Sequence, residues 1–362
     1  MIKVLLLTKY GMKGASSRLR TRQYLPYLRD YKVQVEHSAL FSDSYVDFVY
    51  SKGRHSILLS IFYFFRRLLV LCTSFRYDVI WIEKELFPYA PAWAERLLYI
   101  LNIPYIVDYD DAIFHNYDLS KSNFVRRFLG RKIDTVMKHA QTVVAGNSYL
   151  ESRAILAGAS HTIVIPTVVD VDRYPIQFER TRNPPVIGWI GSPSTEKYVA
   201  ALDRVFIEIR KRHHVRFIAV GATKKLADAL PGIDLEIVPW DENTEADYIS
   251  QMTVGIMPLF DGPWEKGKCG YKLIQYMACQ IPVIASGIGV NAEIIDEETC
   301  GFVVTSDDEW LAALEQVLLR WDIADKMGVN GRRRVEECYS IQANVSTLAR
   351  VLKGDCKSRN LP

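Results

Sequence analysis

The chain has 362 residues, which is long for one hydrophobic core and suits two domains of about 150 residues each. Its 49% hydrophobic and 24% charged residues are typical of a folded globular protein, and they exclude a disordered, collagen-like or repeat-built chain. The net charge of +3 hides an asymmetry, since residues 1–180 carry 24 Lys and Arg against 17 Asp and Glu, and the remainder carries 21 against 25.

This basic first half suits phosphorylated ligands or an anionic membrane, and without a nucleic-acid motif beside it we expect no nucleic-acid partner. The six cysteines form no CxxC pair, so neither a zinc site nor a disulfide framework is expected. The opening residues MIKVLLLTKYG contain only a short apolar run, which predicts a buried first strand. They lack the small-residue cleavage site of a signal peptide. We therefore expect a cytoplasmic protein.

Residues 55–72, HSILLSIFYFFRRLLVLC, form the most apolar segment of the chain. Arg66 and Arg67 near its middle would be costly at a bilayer centre, which argues against a membrane span. Two interpretations stay open. One is an interfacial helix with Phe and Leu inward and arginines toward lipid phosphates, which would hold the protein on the cytoplasmic face of an anionic membrane. The other is a packing helix of the first domain.

Elsewhere short apolar runs alternate with amphipathic stretches, as in a parallel sheet covered by helices. The predicted strands are IKVLLLT, DVIWIE, YIVDYD, TVVAGN and TIVIP, then VIGWIGS, VRFIAVG, LEIVPW, TVGIMPL, IPVIAS and GFVV. The stretch SRLRTRQYLPYLRDY is predicted to be helical. The sequence thus predicts two Rossmann-like α/β domains, 1–172 and 186–340, with a linker at 173–185 and a terminal helix within 341–362.

Loops at the carboxyl ends of parallel strands are where ligands collect. After the first strand, Gly14 permits close backbone approach, and Ser16, Ser17 and Arg18 offer two hydroxyls and a cation. We assign the glycine to the binding of one ligand, called the donor below. We assign Ser16, Ser17 and Arg18 to the binding of a second ligand, called the acceptor. The alternative is a surface loop that caps a helix.

Two further loops of the first domain carry polar residues after strands. VDYDDAIFHNYD supplies Asp110 and Asp111, which would contact donor or acceptor hydroxyls, with His115 close by. Asn147 follows TVVAGN and would line the acceptor side. Helix capping and turn chemistry are the alternatives for these positions. The DxD from Asp108 to Asp110 resembles a metal-binding motif of a fold that has a single nucleotide-binding domain. Because this sequence predicts two domains, we expect no metal.

In the second domain, GWIGSPSTEKY combines Gly191, expected to free backbone amides, with Lys197 six residues later. KCGYKLIQYMACQIPVIAS, residues 268–286, starts a helix at Gly270 and leaves Lys268 and Lys272 able to reach an anion at its N-terminus. Its buried stripe is predicted to be Leu273, Ile274 and Met277, with Tyr271 and Gln275 on another side. These anion-binding loops predict a phosphate-bearing ligand.

The stretches VVAGNSYL, VIPTVVDVDRYP, IGWIGSPST and KCGYKLIQYMACQIPVIASGIGVNAEII, in this order and spacing, resemble retaining nucleotide-sugar glycosyltransferases of the GT-B fold, family 4-like (glycosyltransferase group 1). The resemblance covers nearly the whole chain. It implies two Rossmann-like domains facing each other across a cleft, with the donor held mainly by the second and a terminal helix crossing back to the first. It also implies a UDP- or GDP-sugar, a glycan or lipid-linked acceptor, cell-surface polysaccharide synthesis and no resident cofactor.

Gly191 and Lys197 match the diphosphate loop of this family, although Ser192 stands where many members have Arg. Trp240 stands where members hold the nucleotide base, and an ordinary core tryptophan is the alternative. Family members often carry two glutamates in the last motif. Here the second is Gln275, which could accept a bond from a ribose hydroxyl.

The first of those glutamates falls at Gly267, with Glu265 close by in a mobile-looking loop. During transfer, negative charge grows on the diphosphate, and the amides of Gly191 and Gly270 with Lys197, Lys268 or Lys272 would stabilise it. No carboxylate pair suits a double displacement, so the leaving phosphate would take the acceptor proton. A nucleotide-sugar epimerase and a non-catalytic sugar-nucleotide-binding partner are the alternatives.

Overall fold

A computed structural model describes residues 1–53, 56–174, 176, 184–296 and 298–355. Within these ranges the chain forms two compact units, each built on a six-stranded parallel sheet. Unit 1 comprises Met1–Thr167, Gly267–Cys269 and the segment from Asn344, and unit 2 comprises Val168–Lys266 and Gly270–Ala343. The predicted α/β class with two Rossmann-like domains is confirmed. His55, Cys356 and most of the stretch predicted as a linker, 173–185, lie outside the described residues.

The sheet of unit 1 has the strand order β2-β1-β3-β4-β5-β6, and all its pairings are parallel. Its strands are β1 (Ile2–Thr8), β2 (Val33–Ala39), β3 (Val79–Glu83), β4 (Tyr105–Tyr109), β5 (Thr142–Ala145) and β6 (Thr162–Val164). Strands β3, β4 and β5 are buried at every position, as expected for a parallel sheet covered on both faces. The edge strand β2 is largely polar, and the predicted strands did not include it.

The α-helices of unit 1 lie between these strands. They are α1 (Leu25–Leu28), α2 (Asp43–Lys52), α3 (Ile57–Leu71), α4 (Trp93–Ile100), α5 (His115–Asp118), α6 (Asn123–Leu129), α7 (Lys132–His139) and α8 (Ser148–Ala157). The stretch predicted as one helix after β1 instead starts with a π-helical segment (Ser17–Thr21) and a 3-10 turn (Arg22–Tyr24). Pro26 lies in the first turn of α1, where its missing N–H costs no helical hydrogen bond.

In unit 2 the strand order is β12-β11-β10-β7-β8-β9, again entirely parallel. The strands are β7 (Val186–Ile190), β8 (Arg216–Val220), β9 (Leu235–Val238), β10 (Val254–Met257), β11 (Val283–Ser286) and β12 (Gly301–Val304). Because β7 is an inner strand, the loop after it shares one edge with the loops after β8, β9 and β10. That edge carries most of the predicted donor-binding residues.

The helices of unit 2 cover both faces of its sheet. They are α9 (Glu196–Ala200), α10 (Asp203–Arg212), α11 (Lys224–Ala229), α12 (Glu245–Ser250), α13 (Pro263–Lys266), α14 (Tyr271–Ala278), α15 (Asn291–Ile295), α16 (Asp307–Leu319) and α17 (Trp321–Cys338). A last helix, α18 (Ile341–Leu352), starts in unit 2 and continues in unit 1 from Asn344. The predicted buried stripe of α14, formed by Leu273, Ile274 and Met277, is confirmed by zero exposure of all three.

Helix α3 corresponds to the apolar segment predicted to meet a membrane or the core. Arg67 is 2% exposed and donates hydrogen bonds to the carbonyl oxygens of Thr8 at 2.7 Å and Ser38 at 3.1 Å. Arg66 donates to the carbonyl oxygen of Ala39 at 2.6 Å. Both arginines thus bind the ends of β1 and β2, and the expected orientation toward lipid phosphates is wrong. Among the described helices, none has the length and hydropathy needed to span a membrane.

Candidate functional site

In unit 1 the strand ends bring a lysine against both predicted aspartates. Lys84 directly follows β3, and its Nζ lies 2.7 Å from Asp110 Oδ1 and 3.5 Å from Asp111 Oδ2. The same ammonium donates to Ser16 Oγ at 3.1 Å, which adds a hydroxyl from the loop after β1. The three predicted residues therefore share one cation. We call Ser16, Lys84, Asp110 and Asp111 the strand-end cluster.

Lys84 was missed by the sequence analysis. Its backbone has φ +65°, a left-handed conformation that a residue with a side chain rarely adopts and that is often found at functional sites. Its N–H donates to the carbonyl oxygen of Asp108 at 2.9 Å, which holds this conformation in place. The available signal was a lysine directly after the buried run DVIWIE, at the sheet edge where ligands bind.

The two aspartates of the cluster differ in acidity. Burial alone would raise the pKa of Asp110, but the neighbouring Lys84 ammonium outweighs it and holds that pKa below its usual range. For Asp111, burial and the Asp110 carboxylate together exceed the attraction of Lys84 and Lys268, so its pKa is raised. Asp111 is therefore the carboxyl better suited to accept a proton, and Asp110 the one that stays ionised.

The other predicted residues of the first loop shape its backbone. Ser17 Oγ donates to the buried Glu83 at 2.6 Å, and Arg18, which is 8% exposed, donates to the carbonyl oxygen of Met12 at 3.0 Å. A Cβ on Gly14 would lie 2.4 Å from the Cβ of Tyr10. The structure thus places Ser16 in the strand-end cluster and Ser17, Arg18 and Gly14 in the loop that supports it.

Asn147 connects two segments of unit 1. Its Oδ1 accepts the N–H of Leu150 at 2.9 Å, which caps α8 as the alternative interpretation proposed. Its Nδ2 also donates to the carbonyl oxygens of Gly267 at 3.1 Å and Lys268 at 3.0 Å. Asn147 therefore fixes the position of Lys268, whose charge acts on Asp111.

His115 has a partner at each ring nitrogen. Nδ1 lies 2.8 Å from Asp118 Oδ1, and Nε2 lies 2.9 Å from the hydroxyl of Tyr149. With both nitrogens engaged by nearby side chains, the geometry favours the structural alternative for this residue over the acceptor-side one.

The DxD pattern faces cations of the protein itself. Asp108 accepts a hydrogen bond from Arg20 Nε at 2.5 Å, with both side chains 2% exposed, and Asp110 pairs with Lys84. In the part of the chain that the structure describes, no group of three His, Cys, Asp or Glu side chains could hold a metal ion.

In unit 2, Gly191 contributes space and not an amide. Its N–H donates to the carbonyl oxygen of Val220 at 2.9 Å, so the expectation that this amide is free for an anion is wrong. A Cβ at this position would lie 2.9 Å from Lys272 Nζ and 2.2 Å from the ring of Trp189. Glycine at this position leaves room for the Trp189 ring and for the Lys272 ammonium beside it.

Lys272 joins two of the predicted donor loops. It is the second residue of α14, which starts after Gly270 with φ +62°, and its Nζ lies 3.4 Å from Thr195 Oγ1 in the loop after β7. The ammonium also lies 4.7 Å from the centre of the Trp189 ring, a cation–π contact. A cation is thus held at the carboxyl edge of the sheet, beside Gly191.

The remaining residues of this loop have separate surroundings. Ser192 and Thr195 form a capping box at the 3-10 turn before α9. Lys197 is exposed, with its Nζ 4.9 Å from the centre of the Tyr198 ring. The hydroxyl of Tyr198 donates to Glu265, which lies in the short helix α13 and is 9% exposed. The segment around Glu265 was predicted to be a loop.

Gln275 belongs to a buried polar chain. It is 3% exposed, and its Nε2 donates to the hydroxyl of Tyr174 at 3.0 Å. That hydroxyl lies 3.4 Å from the hydroxyl of Tyr271 and donates to Glu245 Oε1 at 2.9 Å. Trp240 Nε1 donates to the other oxygen of Glu245 at 2.7 Å. Glu245 and Tyr174, which the sequence analysis did not select, therefore link two predicted donor residues.

Trp240 itself is 40% exposed, so it is not the core tryptophan that the alternative interpretation described. A Cβ built on Gly221, the residue after β8, would lie 3.2 Å from the Cβ of Trp240 and 2.2 Å from the carbonyl oxygen of Gly191. The exposed ring, Gly191 and Lys272 thus occupy one edge of unit 2.

Comparison with known proteins identifies the fold and a family match in the second half of the chain. Residues 184–320 match the family described as Glycosyl transferases group 1. Sucrose-phosphate synthase from Thermosynechococcus elongatus has a TM-score of 0.74 at 15% identity, over 98% of each chain. HepE from Anabaena, in complex with UDP and glucose, has a TM-score of 0.74 at 15% identity over 98% of this chain and 100% of its own.

A glycosyltransferase from Rickettsia africae ESF-5 has a TM-score of 0.72 at 15% identity, over 97% of this chain and 98% of its own. The predicted GT-B fold is confirmed by these structures, and the resemblance to glycosyltransferase group 1 is confirmed over residues 184–320. The sequence has no match among curated proteins.

Proposed function

We propose that this chain, a GT-B protein whose residues 184–320 match the group 1 glycosyltransferases, transfers a sugar from a nucleotide diphosphate to a glycan or lipid-linked acceptor with retention of configuration. The observation that carries the proposal is the position of Lys272, which stands beside Gly191 at the carboxyl edge of the unit 2 sheet. A cation at that edge, against a residue without a side chain, suits a diphosphate.

The donor side of the reaction belongs to unit 2. As the glycosidic bond breaks, charge grows on the leaving diphosphate, and Lys272 with the exposed Lys197 would stabilise it more than the ground state. The partly exposed ring of Trp240 offers a stacking surface for the base. HepE binds UDP and UDP-glucose, which favours UDP over GDP as the donor nucleotide. With two lysines at hand, we propose transfer without a metal or a resident cofactor.

The acceptor side belongs to the strand-end cluster of unit 1. Asp110, held ionised by Lys84, would orient an acceptor hydroxyl, and Asp111 with its raised pKa would accept the hydroxyl proton as the hydroxyl attacks and the diphosphate leaves, in place of the leaving phosphate expected from the sequence. Replacing either with Asn should reduce transfer while the nucleotide still binds. We also propose that the transfer serves the synthesis of cell-surface polysaccharide. The protein would associate peripherally with the cytoplasmic face of an anionic membrane.

A thermal-shift screen against UDP, GDP, ADP and their sugars tests the donor, because a ligand that binds only the folded state raises its Tm. We expect the largest shift with UDP or a UDP-sugar, and no shift with any nucleotide would overturn the proposal. Incubation with the donor alone distinguishes the two other classes. Formation of an epimer would indicate an epimerase, and binding without turnover over a broad acceptor panel would indicate a non-catalytic partner.

A further inference from the structure

A cleft on unit 1 lies apart from the strand-end cluster and is rich in arginine. It has a volume of about 440 Å³ and is formed by the start of α4 and by the segment from the end of α6 to the first turns of α7. Arg96, Arg126, Arg127 and Arg131 line it, and the nearby Lys132 is buried against Glu85. No carboxylate lines the cleft in the part of the chain described.

Three of these arginines are not neutralised by the protein. Arg96, Arg127 and Arg131 are exposed, and within the described ranges none of them forms an ion pair. Arg126 differs, because it donates to the carbonyl oxygen of Ser120 and to Asn123. Several unpaired guanidinium groups around one concave site indicate an anionic ligand, and guanidinium geometry suits phosphate.

Beside the cleft, α3 turns an apolar face to solvent. The residues of this face are 55–80% exposed and follow helical spacing along one side: Ile57, Leu58, Ile61, Phe62, Phe65 and Leu69. The two arginines of α3 bind strand ends on its other side. A face of this size on a folded domain marks an interaction surface.

Aromatic contacts connect this face to the cleft. The inner side of α3 places Phe64 5.2 Å from Phe87, whose ring stacks at 5.6 Å on Trp93 in the cleft wall. Phe128 of α6 lines the cleft itself, and its ring centre lies 4.6 Å from that of Phe124, with the two side chains 64% and 68% exposed. Exposed aromatic side chains, Trp93 and Phe128, thus lie among the arginines of the cleft.

We propose that this side of unit 1 docks on an anionic lipid bilayer, with a lipid phosphate headgroup in the arginine cleft and the outer face of α3 among the acyl chains. The chemistry of the surface selects this partner, since a bilayer supplies apolar chains and phosphates side by side, whereas a soluble phosphate would leave α3 in water. The apolar face of α3 and the arginines of the cleft would each bind a membrane weakly, and together they would attach the protein to it stably. The site rests on the proposed membrane association and does not depend on sugar transfer.

Co-sedimentation of the full chain with vesicles tests the site. We expect binding to vesicles of phosphatidylcholine with phosphatidylglycerol, and little binding to phosphatidylcholine alone. Arg127→Gln with Arg131→Gln should lower the partition constant on anionic vesicles about thirty-fold, because each cation near the surface contributes separately. Lys3→Gln with Arg29→Gln removes the same charge from exposed positions away from the cleft and should have a small effect.

The apolar half has its own pair of variants. Phe62→Ser with Phe65→Ser should reduce vesicle binding strongly, while Ile155→Ser with Leu156→Ser, exposed on α8, should not. Equal binding to neutral vesicles, or unchanged binding by the cleft variant, would overturn the proposal. The proposal would also be overturned if inorganic phosphate saturates the cleft while the protein does not bind vesicles. A rise in Tm with UDP shows that each variant is folded. If UDP gives no rise in Tm but the protein still binds vesicles, the proposed sugar transfer is contradicted and the membrane site is not.

Discussion

Lys84 Nζ lies 2.7 Å from Asp110 Oδ1, and both side chains are only 12% exposed. The same ammonium is 3.5 Å from Asp111. One nearly buried cation therefore compensates two carboxylates that would otherwise repel each other. This arrangement makes the strand-end cluster sensitive to loss of the lysine and gives its two acids different responses to pH.

Lys84→Met should lower the free energy of unfolding by about 3 kcal/mol, because it leaves two acidic groups without their buried partner. Urea denaturation at neutral pH measures this change. The control is Lys13→Met, which removes an ion pair with Asp47 on the surface, where both side chains are about half exposed. The control should cost less than about 1 kcal/mol, and equal losses in both variants would contradict the cluster's role.

Stability should depend on pH in opposite ways for the two aspartates. The pKa of Asp110 is lowered from 3.8, so its contribution is present above the unfolded pKa and is lost as pH falls through the folded one. The pKa of Asp111 is raised, so its contribution is present below the unfolded pKa and is lost as pH rises through the folded one.

Asp110→Asn should therefore destabilise the protein most at neutral pH, with a difference from wild type that shrinks in acid. Asp111→Asn should be tolerated better at neutral pH and lose that advantage in acid. Urea titrations along a pH series give both curves. Parallel curves for the two variants would show that the acids do not differ in the way the geometry indicates.

Nucleotide binding should depend on the lysines at the edge of unit 2. Lys272→Ala should weaken binding of the free nucleotide diphosphate by about one to two decades, since a charged hydrogen bond contributes roughly 1.5–3 kcal/mol. Lys197→Ala should have a similar or smaller effect, because Lys197 is exposed and lies in the next helix. Isothermal titration calorimetry with UDP measures both.

Lys326→Ala is the matched control, since Lys326 is an exposed lysine of α17 in the same unit. Lys268→Ala should weaken binding less than Lys272→Ala, because Lys268 belongs to unit 1 and acts on Asp111. If affinity stays unchanged in both the Lys197 and Lys272 variants, the diphosphate binds elsewhere.

Gln275 should be difficult to convert to the glutamate that is common in the resembling family. The hydroxyl of Tyr174 already donates to Glu245, so residue 275 has to supply a donor, which a carboxylate lacks. Gln275→Glu should destabilise the protein by about 1–3 kcal/mol. Adding Glu245→Gln should restore part of that loss, because it exchanges donor and acceptor. Thermal unfolding of the single and double variants measures this coupling, and simple additivity would disprove it.

Gly267 should not tolerate a side chain. A Cβ there would lie 2.4 Å from the Cβ of Ala112 and 2.8 Å from its nitrogen. Gly267→Ala should cost about 1–3 kcal/mol through overpacking, and Ala112→Gly in the same chain should recover part of it by removing one of the two contacts. Chemical denaturation of the three variants tests this, and a neutral Gly267→Ala would show that the segment moves freely.

The sheets could be predicted well because apolar runs on inner strands are buried on both faces. The inner strand β1 and the apolar edge strand β12 have the predicted bounds, while the edge strand β2 was missed because polar residues such as Gln34 and Glu36 alternate with its valines. An edge strand that keeps one side near solvent, as β2 does, lacks the continuous apolar run.

The site was only partly predictable. Asp110, Asp111 and Ser16 could be selected by their places after strands, but their shared partner Lys84 depends on a left-handed backbone that composition does not reveal. The amide of Gly191 was misjudged, because a glycine after a strand can still continue the sheet's hydrogen bonds.

The arginines of α3 were misjudged for a related reason. A buried guanidinium can bind carbonyl oxygens at strand ends, and the helical spacing of the sequence does not show which side of the helix such groups face.

Unit 1 is assembled from separated parts of the chain, and this affects how the protein is made. Its sheet lies within the first 167 residues, yet Leu348 and Leu352 of α18 are 1% and 2% exposed and belong to the same unit. On the ribosome these residues emerge only after unit 2 has been synthesised. Unit 1 therefore gains its contacts with the end of α18 only late in translation, after its sheet and unit 2 have been synthesised.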